Sequence, residues 1–461
     1  MSGHATSAGG KDECAAGLDI ENVKSEQVSP QALHAQRNYR LGIAGHTIGV
    51  VANDFIDAEL ILAGLLYAAT GSKMLVACLA IMNKLGILAP QLFAGSMLEH
   101  KPRKMPYYTA ATIARGVGLA GLVTSIFMLT KGFSAPSLTL FMISFLVVSV
   151  CGSIAYVLAT DMTGRMIPWN RLSSYLGIRS FGGQGAAIIA GILVIQPILA
   201  KGGRYSYFIL SVIGGVLVML AMMMMCFCRD HEHKTPRRAS SLLISLRRGF
   251  KWLRVDRNYK LFFWQRVMFR IEYLGIAFFI PYGKDVLMKE SAANIALLGG
   301  VMVATVKATR MVASLLWSRA VDPSKCRLCL FSGGAMYAVA AVLALVAPYM
   351  PDLYSFEMPL SHLEMNLPLT VYLLALACLG LAGESLNIGE NLFLLTAAPG
   401  HRRLSYVAFI NSVTSPLTLL PFVAAVFANL AGVQSLFYVV LASGLTSAWL
   451  AGRMTTVPAN R

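Results

Sequence analysis

The segment GSMLEHKPRK, residues 95–104, has a counterpart in SRAVDPSKCR, residues 318–327. At an offset of 223, Gly95 aligns with Ser318, Glu99 with Asp322 and Lys104 with Arg327. A second pair, IPWNRLSSYLG (167–177) and APGHRRLSYVA (398–408), repeats Arg171-Leu172-Ser173 as Arg403-Leu404-Ser405 at an offset of 232. Two loop signatures recurring at nearly one period divide the chain into homologous halves, an arrangement found in transporter folds built from repeats.

The sequence around these loops is that of a membrane protein. Of 461 residues, 56% are apolar and 13% charged, and the mean hydropathy is +0.63. A water-facing surface needs more charge than this, and helix-length apolar runs recur throughout. Twelve such segments are expected, near 43–66, 73–95, 108–130, 136–159, 173–200, 205–228, 260–283, 294–317, 328–348, 368–396, 405–430 and 432–452. They give an all-α protein of two six-helix bundles, 43–228 and 260–453, joined by a central loop at 229–259. Residues 1–42 read as a polar, disordered tail and 454–461 as a short second tail.

With the first tail placed in the cytoplasm, the inner segments hold 26 Lys and Arg and the outer loops six. The positive-inside rule then puts both termini in the cytoplasm, for a chain in the plasma (inner) membrane or an internal membrane derived from it. The net charge of +17 is thereby a topology signal, and no nucleic-acid partner is expected. In the central loop, Leu242, Leu246, Phe250 and Leu253 share a stripe opposite Arg and Lys, which predicts a basic amphipathic helix along the anionic leaflet. His231 and His233 in that loop, and the single CxxC of Cys326 and Cys329, are too few for a metal site.

The loop pattern of Gly, three residues, acid, base, any residue, Gly and two bases resembles the loop motif of the major facilitator superfamily. His100, Pro102 and Ser318 depart from that pattern. The likeness, with the 6+6 plan and long central loop, spans about residues 40–453. It implies a transporter working by alternating access, with the motif locking the inner gate through Glu99, Arg103, Lys104, Asp322 and Arg327. Gly95, Arg171 and Arg403 belong to the same loops. It further implies that spans 1, 4, 7 and 10 line a central cavity, with 2, 5, 8 and 11 at the interface between bundles.

Ionisable groups at membrane depth cost several kcal/mol and mark function by default. The first span carries Asn53, Asp54, Asp57 and Glu59, with Asp54 and Asp57 three apart on one helical face. The second holds Lys84, whose repeat mate at the 223 offset is Lys307 in the eighth, one turn before Arg310. The seventh holds Arg266, Arg270 and Glu272. The tenth holds Glu384, Asn387, Glu390 and Asn391, of which Glu384, Asn387 and Asn391 form one stripe. Arg115 and Arg179 read as snorkelling from cytoplasmic helix ends or pairing with loops, with no charge expected deep in spans 3, 6, 9 or 12.

These groups fit a secondary transporter of a small charged solute, proton-coupled through Asp57 or Glu384, with Lys84, Lys307 and Arg310 binding an anion or serving as counter-ions. The alternative is a metal-cation transporter, for iron for example, using the carboxylates as hard ligands. A transporter-like sensor that moves nothing is a third reading. No Walker loop, nucleophile elbow or zincin helix is present, so neither an enzyme nor a bound cofactor is expected. The partners expected are the solute and the bilayer, around a monomer.

Overall fold

The computed structural model describes residues 30–58, 61–98, 100–132, 134–201, 203–229, 242–271, 278–279, 282–283, 292–321, 325–351, 353–357, 364–397, 403–414, 416–417 and 420–455. Their sixteen α-helices fall on the twelve apolar segments and the central loop. Seven are long and apolar enough to cross a membrane by length and composition, from Met105–Lys131 to Val433–Gly452.

The first half holds α1 (Pro30–Phe55), α2 (Ile61–Thr70), α3 (Lys73–Leu98), α4 (Met105–Lys131), α5 (Ala135–Met166), α6 (Leu172–Ala190), α7 (Gln196–Ala200) and α8 (Arg204–Cys226). One π-helical turn, Gly191–Ile195, joins α6 to α7. The linker forms α9 (Leu242–Val255). The second half holds α10 (Arg257–Ile271), α11 (Ala292–Ala320), α12 (Cys326–Val346), α13 (Leu367–Ala397), α14 (Arg403–Thr414), α15 (Leu420–Ala431) and α16 (Val433–Gly452). A short antiparallel hairpin, β1 (Ser355–Glu357) and β2 (Glu364–Asn366), precedes α13, with Ser355 opposite Asn366.

Three expectations are corrected. The first helix starts at Pro30, inside the segment read as tail, where proline suits a first helical turn. The first span is two helices: α1 stops at Phe55, and the Asp57 carbonyl accepts from the amides of Ile61 at 3.0 Å and Leu62 at 2.9 Å to start α2. Asp54 and Asp57 therefore share no helical face. The segment at 405–430 is likewise α14 and α15, with Pro416 between them and Pro421 in the first turn of α15, positions that cannot continue a helix.

The two halves repeat a clasp that closes each bundle on itself. Asn38, about two turns into α1, exchanges two hydrogen bonds of 3.0 Å with the Arg229 backbone beyond α8. Asn258 at the start of α10 does the same beyond α16, accepting from the Thr455 amide at 3.1 Å and donating to its hydroxyl at 2.7 Å. We call the side marked by these two clasps the terminal side.

On that side the halves share a core. Leu172, Tyr175 and Leu176 of α6 are buried in one cluster with Leu330, Phe393 and Tyr406 of the second half. Val157 of α5 and Ala408 of α14 are fully buried together with Leu98 against them. Ser405 donates to the Gly95 carbonyl at 3.5 Å, joining α14 to α3. At Gly177 a side chain would collide with the Ser314 carbonyl, 2.5 Å from an ideal Cβ, so only glycine lets α6 approach α11 this closely.

The linker helix α9 packs across this closure. Gly249 is buried against Phe409, the Phe250 and Phe409 rings meet edge-on at 5.3 Å, and Trp252 contacts Tyr406 at 5.4 Å. Its Arg247, Lys251 and Arg254 are exposed. The rings of Phe250 and Trp252 thus seat α9 on α14.

Candidate functional site

The break between α1 and α2 puts irregular backbone at membrane depth, which is tolerated where it lines a cavity. Asn53, Ile56, Asp57 and Ala58 line one of about 510 Å³, together with Asn83, Gln91, Arg115 and Tyr156. One turn earlier on α1, Asp54 accepts a short hydrogen bond and ion pair from Lys307 of α11. Each side chain keeps 28% of its surface exposed, so the pair is open to water on one side. It joins the two halves directly.

One turn on from Lys307, Arg310 faces Glu384. Glu384 is 2% exposed. Its carboxyl faces Ser180 of α6 and Asn387 of its own helix, with Arg310 and Arg179 as the nearby cations. The Arg310 guanidinium lies over Gly383, near the Tyr337 hydroxyl. Asn391 donates to the Asn387 backbone carbonyl at 2.8 Å and to its side-chain oxygen at 3.1 Å, which keeps the polar stripe of α13 continuous.

Other expected residues lie elsewhere. Glu390 points into the second half, 6% exposed, paired with Arg266 of α10 at 3.5 Å. Arg266 also donates to Asn411 of α14 at 2.9 Å, so this is a network tying three helices of one bundle. Six positions beyond Glu384, Glu390 faces away from the stripe on a 3.6-residue helix. Arg270 sits at the end of α10 with its guanidinium 5.5 Å from the Phe269 ring. Glu59, Glu99, Glu272, Asp322, His231 and His233 fall outside the described residues, as do the side chains of Lys84 and Arg403.

In the first signature loop and its repeat, the last base caps a helix C-terminus, where unpaired carbonyls favour cations. Lys104 is buried and donates to the Leu98 carbonyl at the end of α3. Its repeat mate Arg327 donates to the Met454 carbonyl beyond α16 at 3.1 Å. Arg103 is exposed, as is Arg171 in the short turn before α6. Beside the first loop, Asp161 and Arg165 of α5 form a buried ion pair at 2.5 Å that the sequence reading passed over.

The largest correction concerns Arg115 and Arg179. Neither snorkels. Both line a cavity of about 300 Å³ inside the first half, with His46, Asn53, Tyr156 and Tyr175. Because α4 begins at Met105, Arg115 lies ten residues in, about 15 Å along the axis and beyond the reach of an arginine to the helix end.

The fold and this charged, cavity-lined interface define a membrane transporter of paired helical bundles. The sequence model of the Major Facilitator Superfamily matches residues 54–415, and the chain belongs to that superfamily. It is thus a multi-pass integral membrane protein and a secondary transporter, not an enzyme, and it binds a transported solute. No curated protein matches it by sequence. Among solved structures it is similar to a bacterial homologue of the iron transporter ferroportin in an outward-facing state, at 14% identity and TM-score 0.70, over 90% of this chain and 99% of that one. It is also similar to the E. coli fucose:proton symporter FucP, at 13% identity and TM-score 0.64, over 91% and 98%. A third is the human organic anion transporter MFSD10, at 14% identity and TM-score 0.59, over 90% and 99%. At these identities the likeness is one of fold.

Proposed function

We propose that the protein moves a small charged solute across the bilayer by alternating access, coupled to protons through Asp54. The observation that carries this is the Asp54–Lys307 ion pair, which bridges the halves where the first span breaks. Protonating Asp54 neutralises the carboxylate and frees Lys307. The freed ammonium then needs another anion, or water, at the interface. Proton binding and solute binding thus act on one cation, and each changes the relative free energy of the two rocked states. By the loop charge count the terminal side is cytoplasmic, so the conformation described is closed toward the cytoplasm.

Asp54 is preferred to Asp57 as the coupling acid, because its ion pair with Lys307 reaches the other half. Glu384, buried beside Arg310 and Arg179, is the second. The metal-cation reading has less support, since Lys307 already occupies the best-placed carboxylate. Among the described residues no three His, Cys, Asp or Glu side chains converge. The test is flux of a panel of small anions and cations in proteoliposomes under an imposed pH gradient. Accumulation should follow the gradient in the wild type and lose that dependence in Asp54→Asn. Gradient-driven accumulation that persists in Asp54→Asn overturns the coupling role.

A further inference from the structure

We infer that the first half holds its own binding site for a small organic monoanion, a carboxylate or sulfonate head on an apolar body, centred on Arg115 and Arg179. The inference deepens the transporter reading by naming the solute's class, and rests on that reading only where flux is concerned.

Two cavities, of about 300 and about 510 Å³, meet at Asn53, Arg115 and Tyr156, which line both. Between them lies the Arg115 guanidinium. It fits in a slot left by Gly152 of α5, where an ideal Cβ would stand 2.9 Å from the guanidinium carbon. One nitrogen donates to the Met222 thioether at 3.7 Å, a weak acceptor, and Nε has no hydrogen-bond partner. No carboxylate among the described residues forms an ion pair with it. A guanidinium cannot shed its proton to relieve this, as a lysine can. A permanent charge inside a bundle without a counter-ion is therefore in want of an anion.

The rest of the wall defines the anion. Arg179, 5.3 Å from the Tyr175 ring, is the second cation of the smaller cavity, and no carboxylate lines that space. Tyr108, Tyr175, Leu41, Val218 and Met225 complete an apolar and aromatic lining. Two planar guanidinium groups bind a carboxylate or sulfonate through paired hydrogen bonds, while the tyrosine and methionine faces suit a ring. A volume of about 300 Å³ is at the small end of ligand pockets, which limits the body to about one ring. A metal cation would meet two positive charges here, and a neutral sugar would leave Arg115 uncompensated.

The experiment uses the purified full chain in nanodiscs, in Tris chloride buffer, with benzenesulfonate as probe. The neutral isostere benzenesulfonamide and inorganic sulfate serve as comparisons. Benzenesulfonate should raise the melting temperature in a saturable way, with the two comparisons giving less than a tenth of its affinity. Arg115→Gln and, independently, Arg179→Gln should each weaken it at least tenfold, so a folding defect in one variant leaves the other as the test. Equal stabilisation by benzenesulfonamide or by sulfate overturns the inference, as does unchanged affinity in both variants. Benzenesulfonate binding that depends on Arg115 without benzenesulfonate flux in proteoliposomes keeps the site and removes the transport role assigned to it. Flux that ignores both arginines removes the site.

Discussion

Replacing Gly177 with alanine should open the terminal side. The Cβ so created would lie 2.5 Å from the Ser314 carbonyl oxygen and 2.9 Å from the Ser318 Cα, and it would also strike the Ser318 Cβ. Two of these atoms are backbone, so no rotamer change relieves the contact. The ends of α6 and α11 must part by about an ångström to restore van der Waals distances. Overpacking of this kind costs about 1–3 kcal/mol. The cost falls on the state in which the helix ends touch and is absent once the halves rock apart, so the closed-to-open ratio drops by about 5- to 150-fold.

The assay is thiol modification at Ser405→Cys, a position 3% exposed and bonded to Gly95 across the closure. A membrane-impermeant maleimide, read out by peptide mass spectrometry, reports the open fraction at that position. Gly177→Ala should raise the modification rate by about the same 5- to 150-fold. Gly185→Ala is the control: its Cβ would meet only the Met311 sulfur, at 3.2 Å, and a methionine can move aside. A Gly177→Ala protein that melts like the wild type, with no change in modification rate, would refute the idea that this contact holds the side shut.

Two further outcomes follow from the same packing. Phe250→Ala combined with Trp252→Ala should remove ring contacts with Phe409 and Tyr406, each worth about 0.5–1.5 kcal/mol, and so raise Ser405→Cys modification roughly tenfold without lowering flux capacity. Glu390→Gln should lower thermal stability by about 3–5 kcal/mol because it strands the buried Arg266 charge, while Glu390→Met with Arg266→Met should recover most of the loss in differential scanning fluorimetry.

Much of the architecture was legible because hydropathy and repeat spacing are local properties. Most helix edges, such as Leu367–Ala397 against an expected 368–396, came within a few residues. The break after Phe55 was not legible. An averaged apolar window runs through residues 56–60, and the turn depends on the cavity beside it. Lys307 as repeat mate of Lys84 was visible as spacing, but its pairing with Asp54 is a contact between halves. Arg115 was misread from where the apolar run begins. The helix starts earlier, and Gly152 on a different helix makes room for the side chain. Nothing in the sequence around Arg115 announces that glycine.

The charges divide unevenly between the halves, and the division assigns them different work. In the second half, Arg266 is paired with Glu390 and donates to Asn411 inside a continuous core, so its partners stay with it in every conformation that keeps the bundle intact. In the first half, the cavities of about 300 and about 510 Å³ adjoin Arg115, which forms no such ion pair among the described residues. A solute bound at Arg115 therefore changes the charge of the first half while the Arg266–Glu390 pair keeps its own. The second half feels that change through Lys307 against Asp54 and through Glu384 against Arg179. A rigid bundle that reads the charge state of a hollow one through two contacts needs no signal carried along the helices. The electrostatic balance at the interface is itself the coupling.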